Sequence, residues 1–180
     1  MKLLIIEMVM ILTLFSCVKD EFKDDELSIQ RTNYTGNQLR IDGYYYEIGS
    51  DNYLYPEYFF YKNGTLIYIG GRYSPNTIDT ELTDRLKQSS YLDYAKNNKL
   101  SGGVFIINGQ SIKFEKWYPS SGGGLPAYVR EGDIINDTTF VISVSYRMKK
   151  GKKTEVKARN ETYHFKQFSP KPDSTNNFIK

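Results

Sequence analysis

The chain has 180 residues, with 24 Lys and Arg against 21 Asp and Glu, for a net charge of +3. That length suits one domain, and so small an excess of charge gives no ground for a nucleic-acid partner. A single His and a single Cys exclude a zinc site of three or four N/S ligands and a disulfide framework. They also leave a hydrolytic triad only His164 to use, so no cofactor is expected and the chain is read as a non-enzyme. The aromatic content is high, at 16 Tyr, 10 Phe and 1 Trp. Tyr joins a large apolar ring to a polar tip and suits half-wet sheet faces and lumens, which points to a β protein.

The chain opens with MKLLIIEMVMILTLFSC, residues 1–17. Lys2 is a short positive region and Leu3 to Phe15 an apolar run, too short for the ~20 residues of a membrane-spanning helix. It fits the core of a secretory signal. Leu14-Phe15-Ser16-Cys17 resembles a bacterial lipobox, with an aliphatic residue at −3, a small one at −1 and then Cys. The resemblance implies cleavage after residue 16, a diacylglyceryl thioether on the Cys17 sulfur and a palmitate-like acyl chain on its amine. Two or more chains make a stable anchor at ~0.8 kcal/mol per buried CH₂. The alternative is a secretory or uncleaved segment with an incidental Cys. Residues 17–38 form a charged tether, because Val18 to Glu26 is too polar to bury much surface. Lys19-Asp20-Glu21 resembles the surface-export signal of Bacteroidota lipoproteins; a generic solvated linker explains it equally well.

Residues 39–168 form the domain. Leu39 to Ile48 alternates as a first strand. Tyr58 to Lys62 and Thr65 to Ile69 flank Asn63-Gly64, the strongest short hairpin signal. Both faces of that hairpin are apolar, so both should be covered, unless one faces a lumen. Asp79 or Thr80 caps an amphipathic helix running to Asn97, with Ile78, Leu82, Leu86, Ser89, Leu92 and Ala95 on one stripe; it lies on the barrel or across its mouth. Gly103 to Ile107 and Gln110 to Tyr118 flank a second Asn-Gly. A two-residue turn there sets Phe105 opposite Ile112 and puts Phe105, Ile107, Ile112 and Phe114 on the inward face. Pro119 to Pro126 is a glycine-rich loop. Ala127 to Glu131 is a short strand, turned by Gly132-Asp133. Thr138 to Arg147 points Phe140, Ile142, Val144 and Tyr146 inward. Lys149 to Lys153 is a hairpin tip, part of a basic stretch from Arg147 to Arg159, and Ala158 to Phe168 returns. Residues 169–180 form a polar tail, mostly disordered, with Phe178 and Ile179 as the residues that could fold back.

This pattern predicts an all-β fold: an eight-stranded antiparallel barrel with one inserted amphipathic helix. Closure removes the sheet edges, and eight strands leave room for side chains or one small ligand. The body, over roughly Leu39 to Lys166, resembles the lipocalin-like lipoproteins of the Bacteroidota, with Gly43-Tyr44-Tyr45 where lipocalins carry Gly-x-Trp. The resemblance implies an outer-membrane, surface-exposed lipoprotein holding a small apolar or glycan ligand. Tyr44, Tyr46, Phe60, Tyr68, Phe105, Phe114 and Trp117 are its candidate lining. The alternative is a structural lipoprotein contacting an envelope protein or anionic lipid, with the basic stretch as its contact. Carboxylates open to acid–base roles are Asp42, Glu47, Glu115 and Glu131.

Overall fold

A computed structural model describes residues 23–180; the leader, Cys17 and the first residues of the tether lie outside that range. Eight antiparallel strands close into a barrel in chain order: β1 Gly43–Ile48, β2 Leu54–Phe60, β3 Thr65–Tyr68, β4 Gly102–Asn108, β5 Ser111–Trp117, β6 Ala127–Asn136, β7 Thr139–Lys149 and β8 Lys152–Gln167. β1 closes the barrel on β8 only from Gly43↔Gln167 to Tyr46↔His164. The first part of β8 therefore pairs with β7 alone and leaves an edge bearing several Lys, residues that discourage strand addition.

Two helices, not one, lie between β3 and β4: α1 Ile78–Leu86 and α2 Ser89–Asn97. Gln88 leaves helical geometry at φ −76, ψ 122, which restarts the helical phase. Ile78, Leu82 and Leu86 are buried as their spacing predicts. Beyond the break the inward pair is Tyr91 and Ala95, while Leu92 stays 38% exposed. Asp79 falls inside α1 rather than at its cap and pairs with Lys166 at 2.8 Å.

The pleat sorts the aromatics into two cores. Tyr45, Tyr58, Phe60, Phe105, Phe114, Phe140 and Tyr163 point inward and are at most 1% exposed. Their rings interlock: Phe114 lies 4.8 Å from Tyr58, Phe60 4.8 Å from Phe105, and Phe140 stacks on Tyr163 at 4.8 Å. The middle of the barrel is thus filled by side chains. Tyr44, Phe59, Ile67 and Ile69 alternate with that set and point outward, where both helices cover them. The β2–β3 hairpin is covered on both faces for this reason.

Both Asn-Gly pairs mark hairpins, by different turns from the one expected. Phe60 pairs with Leu66 and Tyr61 N–H donates to Thr65 O, so Lys62-Asn63-Gly64 is a three-residue loop with only Gly64 at positive φ, 78°. In the second hairpin Asn108 pairs with Ser111, leaving Gly109-Gln110 as the turn and Gly109 at φ 60°. Phe105 consequently faces Phe114 rather than Ile112. The shift is two in register, so every side chain keeps its predicted face. At the β7–β8 tip Lys150 and Gly151 both have positive φ, 51° and 74°, the pattern of a type I′ turn.

Gly132-Asp133 is not a turn. β6 runs through it, and a Cβ on Gly132 would stand 1.9 Å from the Val141 carbonyl oxygen. The glycine permits two backbones to touch at a bulge beside Glu131.

The segments flanking the barrel are laid along its outer wall. Asp25 receives Arg147 through two bonds of 2.5 and 2.7 Å, and Trp117 Nε1 donates to Asp25 O at 2.7 Å. Lys99 pairs with Asp24 at 2.7 Å. Glu115, 1% exposed, accepts from the N–H groups of Ser28 and Ile29 at 2.6 and 2.8 Å. Where low apolar content predicts a loose tether, residues 23–38 form a strap held by charge-assisted bonds to distant strands. The tail is similarly docked: Lys171 Nζ donates to the Ile41 and Phe60 carbonyls, and Asn176 to those of Ala95 and Asn98.

Candidate functional site at the open end of the barrel

The two ends of the barrel differ. At one end Tyr34, Leu39 and Ile41 pack onto the inner core. The Tyr45 hydroxyl donates to Arg40 O at 3.0 Å and lies 3.2 Å from Asp137 O. That end is sealed. The opposite end carries the β1–β2, β3–β4, β5–β6 and β7–β8 connections and opens into a cavity of about 560 Å³. Its lining includes Glu57, Tyr58, Tyr68, Lys116, Tyr118 and Arg130. The volume falls within the ~300–1,000 Å³ of small-molecule sites.

Strand geometry puts these groups there. Lys116 follows Ile112 and Phe114 on the inward parity of β5 and is 3% exposed. Its ammonium lies 4.0 Å from the Tyr118 ring and 4.4 Å from Tyr68, and donates to Trp117 O at 3.0 Å. Arg130 pairs in register with Phe114, forms an ion pair with Glu161, and donates to the hydroxyls of Tyr118 at 2.9 Å and Tyr163 at 3.1 Å. Glu57 arrives through a bulge: Tyr45 pairs with Tyr58 and Tyr46 with Pro56, which leaves Glu57 without a partner on β1 and beside Tyr58 at the cavity wall.

The electrostatics follow from partial enclosure. Burial, reinforced by the nearby Glu47 carboxylate, pushes Glu57 up to about 7. Burial pulls Lys116 down to about 8, against the opposing pull of Glu57. Burial, then Glu161, also raises Glu47. The mouth thus holds an acid and a base that both change charge near neutral pH, framed by tyrosine rings.

The seven candidate lining residues do not share one space. Phe60, Phe105 and Phe114 are in the filled inner core. Only Tyr68 reaches the open cavity. Tyr44 and Tyr46 face outward into the core beneath the helices. Trp117 also faces outward, under the strap. Alternation along β1 and β5 separates Tyr44 from Tyr45 and Trp117 from Lys116, so the outward three are removed from the lining for a geometric reason.

The other singled-out groups are dispersed. Asp42 pairs with Arg40 on the surface, Glu115 anchors the strap, and Glu131 is shared by Lys113, Lys153 and the Tyr146 hydroxyl. His164 packs 5.8 Å from Tyr46, on the outward face. Among the described residues no group of three His, Cys, Asp or Glu could hold a metal ion. Three further clefts lie elsewhere: about 310 Å³ between the tail and the helices, about 870 Å³ between the strap and the tail, where Lys23, Asp24, Glu26, Arg31 and Lys99 gather, and about 180 Å³ beside Tyr34 at the opposite end. Among the described residues no helix is long and apolar enough to cross a membrane. Comparison with protein-family models, curated proteins and solved structures finds no match to this chain.

Proposed function

We propose that this chain is an envelope lipoprotein of the outer membrane, held through lipid on Cys17, whose barrel binds a small glycan-class ligand at its open mouth. The observation that carries the reading is the mouth itself: Tyr68 and Tyr118 rings, Lys116, Arg130 and Glu57 around about 560 Å³, above an interior already filled. A sugar offers hydroxyls to the charged groups and flat C–H faces to the rings. A purely apolar ligand would leave Lys116, Arg130 and Glu57 desolvated without new partners, which favours the glycan over the apolar alternative. The leader supports the address, since Leu14 to Cys17 has lipobox spacing and Cys17 is the single cysteine.

Native mass spectrometry of the chain from residue 17 with Cys17→Ser, followed by a glycan array, tests the binding claim. The expected result is a glycan mass or array signal that Tyr118→Ala abolishes. No glycan binding, or binding indifferent to Tyr118, would refute it. Radiolabelled palmitate incorporation, lost in Cys17→Ala, tests the anchor separately.

The filled interior also favours a second reading, an interaction lipoprotein that contacts an envelope protein. In-cell crosslinking from the β5–β6 loop would then recover one fixed neighbour; a monomer with no recurrent adduct would exclude it.

A further inference from the structure

The strap and the basic hairpin meet at one end of the barrel. Antiparallel order places the β1–β2, β3–β4, β5–β6 and β7–β8 connections together, at the mouth. The described chain begins there too. Asp25 N–H donates to Leu125 O at 2.9 Å, and Asp24 accepts from Leu125 N–H at 2.8 Å. Asp25 also binds Arg147, near the end of β7. From Asp24 the strap runs past Glu115 to Tyr34, whose N–H donates to Lys62 O at the sealed end. The chain therefore leaves the barrel, toward Cys17, from the mouth end.

Cys17 precedes Asp24 by seven residues. Fully extended, seven residues span at most about 25 Å. A lipid on Cys17 cannot then hold the mouth end farther than that from the headgroups.

The same end carries lysines without a direct ion-pair partner. The β7–β8 tip presents Lys149, Lys150 and Lys152, all exposed, and no described carboxylate pairs with them. The nearby acids are engaged: Asp25 and Glu155 with Arg147, and Glu131 with Lys113 and Lys153. Gly151 at the turn has no atom near the position of a Cβ, so the tip projects freely.

We propose that the mouth end is a membrane-docking surface: Lys149, Lys150 and Lys152 contact anionic lipid headgroups, and the cavity opens toward the bilayer rather than away from it. The inference rests on the anchoring part of the proposed function for its setting. It goes beyond it in fixing which end faces the lipid. A short tether alone would leave rotation free, whereas basic residues beside the tether's exit point bias it to one orientation. The ligand of the mouth then comes from the headgroup layer.

The test uses residues 17–180 with Cys17→Ser, which contain the whole barrel and its strap, and vesicles that carry no glycan. Co-sedimentation compares phosphatidylcholine vesicles with and without phosphatidylglycerol. Binding only to the anionic vesicles is expected, weakened on the order of 100-fold by Lys149→Gln, Lys150→Gln and Lys152→Gln together and unchanged by Lys62→Gln at the sealed end. A fluorophore on Ser120→Cys, in the β5–β6 loop, should be quenched by headgroup-labelled lipid, and one on Asn108→Cys, at the opposite end, should not. Equal binding to both vesicle types, or quenching at Asn108 instead, would overturn the proposal. So would a triple variant that self-associates but binds vesicles as before, since the lysines would then guard the open β8 edge. Failure here leaves glycan binding standing, and a silent glycan array leaves this result standing.

Discussion

Phe114→Ala tests whether the barrel interior is a packed core or a ligand space. The Phe114 ring has no exposed surface and meets Tyr58 at 4.8 Å, Phe60 at 6.2 Å, Phe140 at 6.3 Å and Tyr163 at 6.4 Å. Deleting a buried Phe costs ~3–5 kcal/mol, more where neighbours cannot collapse into the gap. Here the neighbours are rigid rings on a closed sheet, and each lost aromatic pair adds ~0.5–1.5 kcal/mol beyond area. The upper part of the range, about 4–5 kcal/mol, is expected. Against a typical domain stability of ~5–15 kcal/mol, that is a large fraction, and it lowers the melting temperature by roughly 10–20 °C. Urea unfolding at constant m would measure it, with Ile135→Ala, at an exposed site, as a control within ~0.5 kcal/mol. A loss below about 1.5 kcal/mol would show that Phe114 borders open space, and the filled interior would be wrong.

Other perturbations separate the remaining features. Lys116 is pulled down to about 8 in the fold from 10.5, so over that interval the unfolded chain holds more protons and stability rises with pH; Lys116→Met should abolish the rise seen between about pH 8 and 10. Above about pH 10 the sign reverses, because buried Tyr58 keeps a proton that the unfolded chain releases. Burial works against charge on Asp25, but Arg147 and the Ala127 N–H outweigh it and hold the carboxyl below its ordinary value. Its stabilisation is therefore complete above about pH 4 and fades on further acidification. Arg147→Ala should expose residues 23–31 to limited proteolysis at neutral pH while near-UV dichroism of the barrel persists. Gly132→Ala should cost more than about 3 kcal/mol, since its Cβ would strike backbone and not a movable side chain; a neutral substitution in thermal melts would refute the close approach.

Much of the barrel was legible because alternation survives errors of register. Sliding the second hairpin by two residues changed the partner of Phe105 but not its face. The same parity that places Phe114 inward places Lys116 there, and the parity of Tyr163 carries Glu161, the ion-pair partner of Arg130, so one member of the mouth and one of its supports are legible from β5 and β8. Tyr44 and Trp117 fall outside the lining because strand parity, not aromatic identity, decides which way a ring points. Glu57 was not readable, since only an unpredictable bulge turns it toward the cavity. Gly132-Asp133 suggests a turn in sequence yet lies inside β6, because close approach and turn formation select the same residue. The strap was invisible because its partners, Glu115 and Arg147, lie 87 and 122 residues away, and local polarity carries no trace of them. The helix break at Gln88 has no Gly or Pro to announce it.

Ligand binding at the polar mouth, above a closed aromatic core, is the proposal most directly open to measurement. Tyrosine-labelled chain can be titrated with the glycan identified on the array while ring resonances are followed by NMR. Shifts are expected at Tyr68 and Tyr118 and none at Tyr45, whose hydroxyl is bound at the sealed end. Shifts at Tyr45 with Tyr68 and Tyr118 unmoved would place the ligand elsewhere and contradict that proposal.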